Sequence, residues 1–373
     1  MRKIAILCGR YLPGFKDGGP LRTLINICDC LGKEYNFKII TNDRDHGDLV
    51  AYKDIVYNAP NYVGNAEVWY LKPGGFTFSA IKKLTEDVDE IYCFGPYDDY
   101  AYKTMILKRL GKIKKPLVIA SMGTFSEGAI KIKSTKKKLF LTVCKFLGLF
   151  KKVVWSVTST LEEQDVKKYV GKKAICYVAE DLPRSVPNFV KKNSNEPIKG
   201  IFVSRICKKK NLTFVLEILQ KVNFEIDFDI YGVIEDKEYW TLCEKLMAKL
   251  PSNVHCCYKG IANSEKVIEL FSEYDFFLFP TLGENYGHVI FESLCGGCLP
   301  IISDQTPWLD FNEKGIGAVL SLKDKKAFVD EIEKLSLISK EELKEKQKNA
   351  NFYAIKKYES SVKDTGYRKI FEL

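Results

Sequence analysis

The densest concentration of residues able to do chemistry lies in FPTLGENYGHVIFESLCGG, residues 279–297. An apolar run ends at Thr281, a polar turn bounded by Gly283 and Gly287 follows, and a helical pattern starts near His288. Such a turn aims backbone N–H groups and the positive end of a helix dipole outward, which suits a phosphate. Glu292 stands four residues past His288, one turn further along nearly the same helix face. A carboxylate there can accept two hydrogen bonds from a ribose diol while the helix start holds phosphates. Glu284, eight residues before Glu292, sits in the turn within reach of a sugar hydroxyl. The plainer alternative is a solvated loop acid and a helix-surface glutamate.

A second constellation is SRICKKKNL, 204–212, directly after the apolar run IFVS. Arg205 and Lys210 lie in a loop before a helix, spaced to flank a diphosphate; a solvated basic turn is the competing reading. A third is DGGPLR, 17–22, where Gly18 and Gly19 would let a backbone approach a ligand closely. Other clusters carry less. Cys295 and Cys298 have C-x-x-C spacing, but no second pair or nearby His completes a zinc site, and small residues packing a helix end explain them better.

The elements that must position these residues alternate. In the first half, strands are expected at 3–7, 37–41, 67–71, 90–95, 116–121, 153–159 and 174–179, with helices at 21–31, 100–110 and 161–169. In the second half, strands are expected at 199–204, 228–232, 254–260, 275–281, 298–304 and 317–322. Helices stand at 212–220, 239–249 and 288–295, and a charged, mostly helical stretch runs from 323. Val- and Ile-rich runs without polar alternation suit parallel strands buried on both faces. Strand–helix alternation then predicts α/β, doubly wound units. The 373 residues allow two or three domains at roughly 100–200 residues each. The segment DLPRSVPNFVKKNSNEPI, with three prolines and three asparagines, breaks the pattern. We therefore expect domains at 1–182 and 199–354, a linker at 183–198, and a helix at about 355–373 packing back on the first domain.

The three constellations, in this order, resemble the GT-B glycosyltransferases, and within them the large retaining family with an E-x7-E element. Here that element is Glu284 to Glu292, the Arg…Lys pair is Arg205 and Lys210, and the Gly-rich first loop holds Gly18 and Gly19. The resemblance spans nearly the whole chain and is strongest over 199–310. SRICKKKNL, FDIYG, EDKEYW, PTLGENYGHVIFESL and SDQTPW look like a bacterial branch that builds surface polysaccharides. It implies two Rossmann-like domains facing across a cleft. Arg205 and Lys210 would neutralise the donor diphosphate and Glu284 would contact the transferring sugar. Backbone amides at Asn285, Tyr286 and Gly287, beside His288, would meet sugar or phosphate. Glu292 would hold the ribose, Gly19 would close over the phosphates, and Tyr231, Gly232, Lys259 and Gly260 would frame the base. Where many relatives have a His near the donor sugar, this chain has Met122. The implied substrate is a nucleotide sugar, UDP before GDP, with no cofactor or metal. The acceptor is a saccharide or a lipid-diphosphate-linked saccharide.

Charge supplies the remaining expectation. Residues 1–190 carry 31 Lys and Arg against 20 Asp and Glu, whereas 191–373 carry 27 against 28. Residues 101–152 alone hold 14 basic residues and one acid, Glu127. Within KIKSTKKKLFLTVCKFLGLFKK, 131–152, eight lysines flank an apolar stretch too short to span a bilayer. It could lie in the headgroup region of an anionic membrane surface, with Phe140, Phe146, Leu147 and Phe150 dipped inward and Lys136, Lys137 and Lys138 on the lipid phosphates. A core helix with a solvated basic face is the alternative. With no secretory signal and twelve scattered cysteines, a cytoplasmic protein attached to the inner face of the plasma membrane is expected.

Competing functions fare worse. A nicotinamide dehydrogenase needs G-x-G-x-x-G after its first strand, and CGRYLPGFKDGG does not fit. A nucleic-acid-binding protein gains only the basic stretch, without an aromatic recognition pattern, so no nucleic acid is expected. A GT-B-fold epimerase remains the nearer alternative.

Overall fold

The computed structural model describes residues 1–126, 129–130, 134–187 and 197–373. Most of the expected linker, as well as Glu127, Lys131 and Lys133, falls outside them. The chain divides into two compact units, Met1–Arg184 with Ser361–Leu373, and Ser185–Ser360.

The first unit contains β1 (Arg2–Leu7), α1 (Gly19–Leu31), β2 (Tyr35–Asn42), β3 (Asn61–Val63), β4 (Ala66–Leu71), α2 (Phe78–Leu84), β5 (Glu90–Phe94) and α3 (Asp99–Arg109). It continues through β6 (Leu117–Ala120), α4 (Ser134–Phe146), β7 (Val154–Val157), α5 (Thr160–Val170) and β8 (Ile175–Val178). The strands form one sheet in the order β3-β4-β2-β1-β5-β6-β7-β8. All neighbours are parallel except β3 on β4. The inner strands β1, β2 and β5 are apolar and buried, as strands covered on both faces must be. The edge strand β8 is the exception, since Ile175 and Val178 are exposed. Sequence reading did not find β3 or α2. The latter is a short helix whose start is fixed by Thr77, its hydroxyl accepting from the Ala80 N–H at 3.1 Å.

The second unit contains β9 (Ile198–Val203), α6 (Leu212–Leu219), β10 (Ile226–Tyr231), α7 (Lys237–Met247), β11 (Val254–Tyr258), α8 (Val267–Phe271) and β12 (Phe276–Phe279). It continues through α9 (His288–Cys295), β13 (Leu299–Ser303), α10 (Phe311–Lys314), β14 (Ala318–Leu320), α11 (Lys325–Leu337) and most of α12 (Lys340–Lys363). Its sheet is wholly parallel, in the order β11-β10-β9-β12-β13-β14. The aromatic side chains of YDFFLF, 274–279, with Phe202, Phe228 and Phe291, fill the core around β9 and β12. Strand order reverses between β9 and β12. In an open α/β sheet the loops leaving the strands diverge at that point, and the crevice outside their C-terminal ends is where ligands bind.

The end of the chain returns to the first unit. After α12 a short helix α13 (Tyr367–Ile370) precedes Phe371, whose ring packs edge-on against Tyr35, Phe37 and Tyr92. Arg368 makes a two-pronged ion pair with Glu34, both contacts at 2.7 Å. All twelve cysteines are free thiols, and most are at least partly buried.

Candidate active site

The reversal point of the second sheet brings together the two loops singled out in the sequence. From β9 the chain turns through Arg205 to a single 3-10 turn, Lys208–Lys210, while from β12 it passes Thr281 to Glu284. The loops are stitched to each other. Leu282 N–H donates to Lys209 C=O at 2.9 Å, and the Asn211 amide donates to Pro280 C=O at 2.9 Å. Asn211 can also start α6 because it adopts the left-handed conformation, at φ 61°, that asparagine tolerates.

Between the loops, Lys210 Nζ lies 2.5 Å from Glu284 Oε1, with both side chains about nine-tenths buried. The same oxygen accepts from the Thr281 hydroxyl at 3.0 Å, and the ammonium sits over the Phe279 ring at 5.5 Å. Arg205 behaves differently. Its side chain is exposed and its Nη1 meets Glu235 Oε2 at 2.5 Å, on the loop after β10. Thus the two cations expected to flank a diphosphate each hold a carboxylate instead. One pair is buried and fixed, while the other is in water and readily exchanged.

Past Glu284 the turn is held by its own N–H, donating to Gln305 C=O at 3.1 Å. Asn285 is exposed, whereas Tyr286 is buried. Its ring packs between His288 at 4.8 Å and Trp308 at 5.3 Å, and Trp308 Nε1 donates to Tyr286 C=O at 2.5 Å. Gly287 takes the left-handed conformation and opens α9. Glu292, on the second turn of that helix, is buried at 7% exposure, so it is no solvated surface acid.

The strand-end residues line the neighbouring crest. Gly232 N–H donates to Gly260 C=O at 2.8 Å, and Tyr258 OH donates to Gly232 C=O at 2.8 Å. A Cβ on Gly232 would stand 1.7 Å from the Ser204 carbonyl oxygen, so only glycine lets β10 leave the sheet here. Tyr231 is half-buried and its hydroxyl lies 3.4 Å from that of Tyr274, which donates to Asp229 at 2.7 Å. Lys259 is exposed, with Nζ 3.7 Å from Asp229 Oδ1.

Three other expected residues belong to the first unit. Gly18, at φ 61° and ψ −126°, caps α1 in a conformation suited to glycine, and a side chain on Gly19 would meet nothing within 4 Å. Met122, just past β6, is left-handed at φ 52° and precedes Gly123, whose N–H donates to Glu162. A left-handed methionine is uncommon and costs backbone strain.

The membrane-facing set needs correction. Phe140 and Phe150 do not face outward: Phe140 packs on Tyr97 at 5.4 Å and Phe150 on Trp155 at 5.6 Å, both within the first unit's core. Lys137 is also turned in, donating to Ala129 C=O at 2.7 Å and lying over the Tyr97 ring. Phe146, Lys136 and Lys138 are exposed.

Among the described residues no group of three or more His, Cys, Asp or Glu side chains is arranged to hold a metal ion. Residues missed in the sequence include Thr281, Asn211 and Glu235, which orient or neutralise the groups above. Trp308, within SDQTPW, walls the turn.

Comparison with known proteins fits this geometry. Residues 187–356 match the family described as Glycosyl transferases group 1. Sucrose-phosphate synthase from Thermosynechococcus elongatus superposes with a TM-score of 0.72 at 14% identity, covering 100% of both chains. The fold is that of the GT-B glycosyltransferases. HepE of Anabaena, solved in complex with UDP-glucose, gives a TM-score of 0.70 at 13% identity over 100% of both chains. WaaG, a glycosyltransferase involved in lipopolysaccharide biosynthesis, gives 0.59 at 13% identity over 94% of this chain and 95% of its own. No curated protein sequence matches the chain. The group 1 match coincides with the second unit, the GT-B half that holds Lys210, Glu284 and Glu292.

Proposed function

We propose that the protein is a retaining, metal-independent glycosyltransferase. It moves a sugar from a nucleotide-sugar donor, UDP-linked in preference to GDP-linked, to a saccharide acceptor in cell-surface polysaccharide assembly. The observation that carries this reading is the buried Lys210–Glu284 pair at the sheet's reversal point, inside the segment matching group 1 glycosyltransferases.

In this reading the donor diphosphate takes up the charge of Lys210 and Arg205. Arg205 exchanges Glu235 for phosphate, a cheap step because that pair is exposed to water. Lys210 stays on the diphosphate side while Glu284, held by Thr281, turns its second oxygen toward a sugar hydroxyl. Glu292 receives the ribose diol, and the strand ends at Gly232 and Gly260 receive the base. As the glycosidic bond to phosphate breaks, negative charge builds on the diphosphate. Lys210, already fixed in place, stabilises that charge without reorganising, which lowers the barrier, and Arg205 adds to it once it has exchanged Glu235 for phosphate. The acceptor hydroxyl attacks from the face the diphosphate leaves, and a diphosphate oxygen takes its proton, so configuration is retained. No side-chain nucleophile is needed.

The HepE complex with UDP-glucose supports a uridine donor, and WaaG supports a polysaccharide setting. We further propose that the acceptor is carried on a lipid diphosphate and that the enzyme works at the inner face of the plasma membrane. Incubation with radiolabelled UDP-, GDP- and ADP-sugars tests the reaction. Nucleoside diphosphate should appear only when a saccharide acceptor is present. Sugar interconversion without acceptor would instead indicate an epimerase.

A further inference from the structure

We infer that the outward face of α4 is a docking surface for an anionic lipid bilayer, in which Leu139, Val143 and Lys145 take the place of the inward-turned Phe140, Phe150 and Lys137 beside Phe146, Lys136 and Lys138. It deepens the membrane setting proposed above but rests on the helix itself. Leu141 and Cys144 are buried, and Phe140 and Lys137 point the same way, so they define the inner face. On the opposite face Leu139, Val143 and Phe146 are exposed, and Leu147 continues the stripe in the turn that follows. Leu147 N–H still donates to Val143 C=O at 2.9 Å, so the helical path persists that far. These four residues recur at helical spacing and share an arc of roughly 100°.

Phe146 is 89% exposed and Leu139 64%, a heavy concentration of bare apolar surface for one short helix. Of the exposed lysines, Lys136 falls within that arc and Lys138 and Lys145 lie together on one side of it, roughly 80–100° of helix rotation past Phe146, while Lys151 and Lys152 follow it. Arg109 of α3 approaches Gly148 at the end of the helix. Lys108 has its pKa lowered, first by burial and then by the neighbouring charge of Lys152. Residues 128–161 contain no Asp or Glu.

An apolar stripe bordered by cations is complementary to a bilayer whose surface is anionic and whose interior is hydrocarbon. Lysine stems can lie along the acyl boundary with their ammonium groups at the phosphates. A second copy of this chain fits poorly, because a two-fold contact would set the same lysines against each other. A nucleic-acid backbone would satisfy the lysines but leave Leu139 and Phe146 uncovered.

The test is co-sedimentation of the full chain with vesicles of phosphatidylcholine, with and without phosphatidylglycerol. Binding should require phosphatidylglycerol and fall as salt is raised. Each lysine near an anionic surface multiplies partitioning about fivefold, the equivalent of about 1 kcal/mol. The variant carrying Lys136→Glu, Lys138→Glu and Lys145→Glu should therefore bind on the order of a hundredfold more weakly. Leu139→Ser with Phe146→Ser should also release the protein while leaving its melting temperature near that of the parent. Undiminished sedimentation of either variant, binding to neutral vesicles, or a dimer abolished by the serine variant would overturn the proposal. Nucleotide-sugar binding measured on the same samples is independent of the vesicles, so a wrong catalytic reading would show separately.

Discussion

Lys210 and Glu284 offer a perturbation that separates folding from catalysis. Their side chains are only 11% and 12% exposed, so removing either charge strands the other in a poorly solvated place. Breaking a pair of this kind costs roughly 3–5 kcal/mol, whereas replacing both partners by neutral residues of similar size is often close to neutral. Lys210→Met leaves the Glu284 carboxylate with the Thr281 hydroxyl as its remaining close donor. Glu284→Gln leaves an ammonium against the Phe279 ring. At roughly 2–4 °C per kcal/mol for a unit of this size, each single variant should melt about 6–20 °C below the parent. The double variant should recover most of that loss. Turnover should not recover, because the cation that meets the leaving diphosphate is gone, at a cost on the order of 10²-fold or more. Thermal melts and acceptor-dependent product formation on all four proteins complete the cycle. Single variants that melt with the parent would refute the buried pair. A double variant with near-normal turnover would refute its part in the chemistry.

Glu292→Gln should weaken nucleotide-sugar binding roughly tenfold or more, since charge-assisted hydrogen bonds are worth about 1.5–3 kcal/mol; unchanged calorimetric affinity would remove the ribose assignment. Glu235→Gln should lower the donor KM by no more than about fivefold by releasing an exposed Arg205, whereas Arg205→Ala should cut turnover heavily; equal and small effects would show a solvated turn. Glu90, wholly buried at the start of β5, has its carboxyl pushed up to about 8 by burial, against the pull of Arg2 at 3.7 Å. Its folded pKa lies above the unfolded value of about 4.3, so the parent's stability is full below that and drains away as pH rises through about 8. Glu90→Gln should flatten the dependence of melting temperature on pH between about 5 and 8.5; parallel curves would contradict the assignment.

The fold was legible where burial is two-sided. Runs such as KIAIL, IFVS and DFFLFP carry no polar alternation, and only a covered parallel sheet accommodates them. The candidate site was legible to the extent that loops must follow such strands. Glu284 and Glu292 keep a spacing that a turn and one helix fix locally. What escaped was every partnership across elements. Nothing local says that Lys210 meets Glu284 while Arg205 meets Glu235, because those contacts depend on β9 lying between β10 and β12. The orientation of α4 failed for a related reason. Phenylalanines at 140, 146 and 150 look alike in sequence, and it is Tyr97, in the loop after β5, and Trp155, on β7, that draw two of them inward. The short α2 and α8 were missed because one or two turns carry too few apolar positions to establish a period.

If the proposed function holds, the second unit binds a nucleoside diphosphate where its strand order reverses. Calorimetric titration of UDP, GDP and ADP into the parent and into the variant with Lys210→Met and Glu284→Gln measures this directly. Saturable binding of one nucleotide, UDP foremost, is expected for the parent, with a loss of at least tenfold in affinity in the double variant. Equal affinity in both proteins, or binding of none of the three by a folded parent, would contradict it.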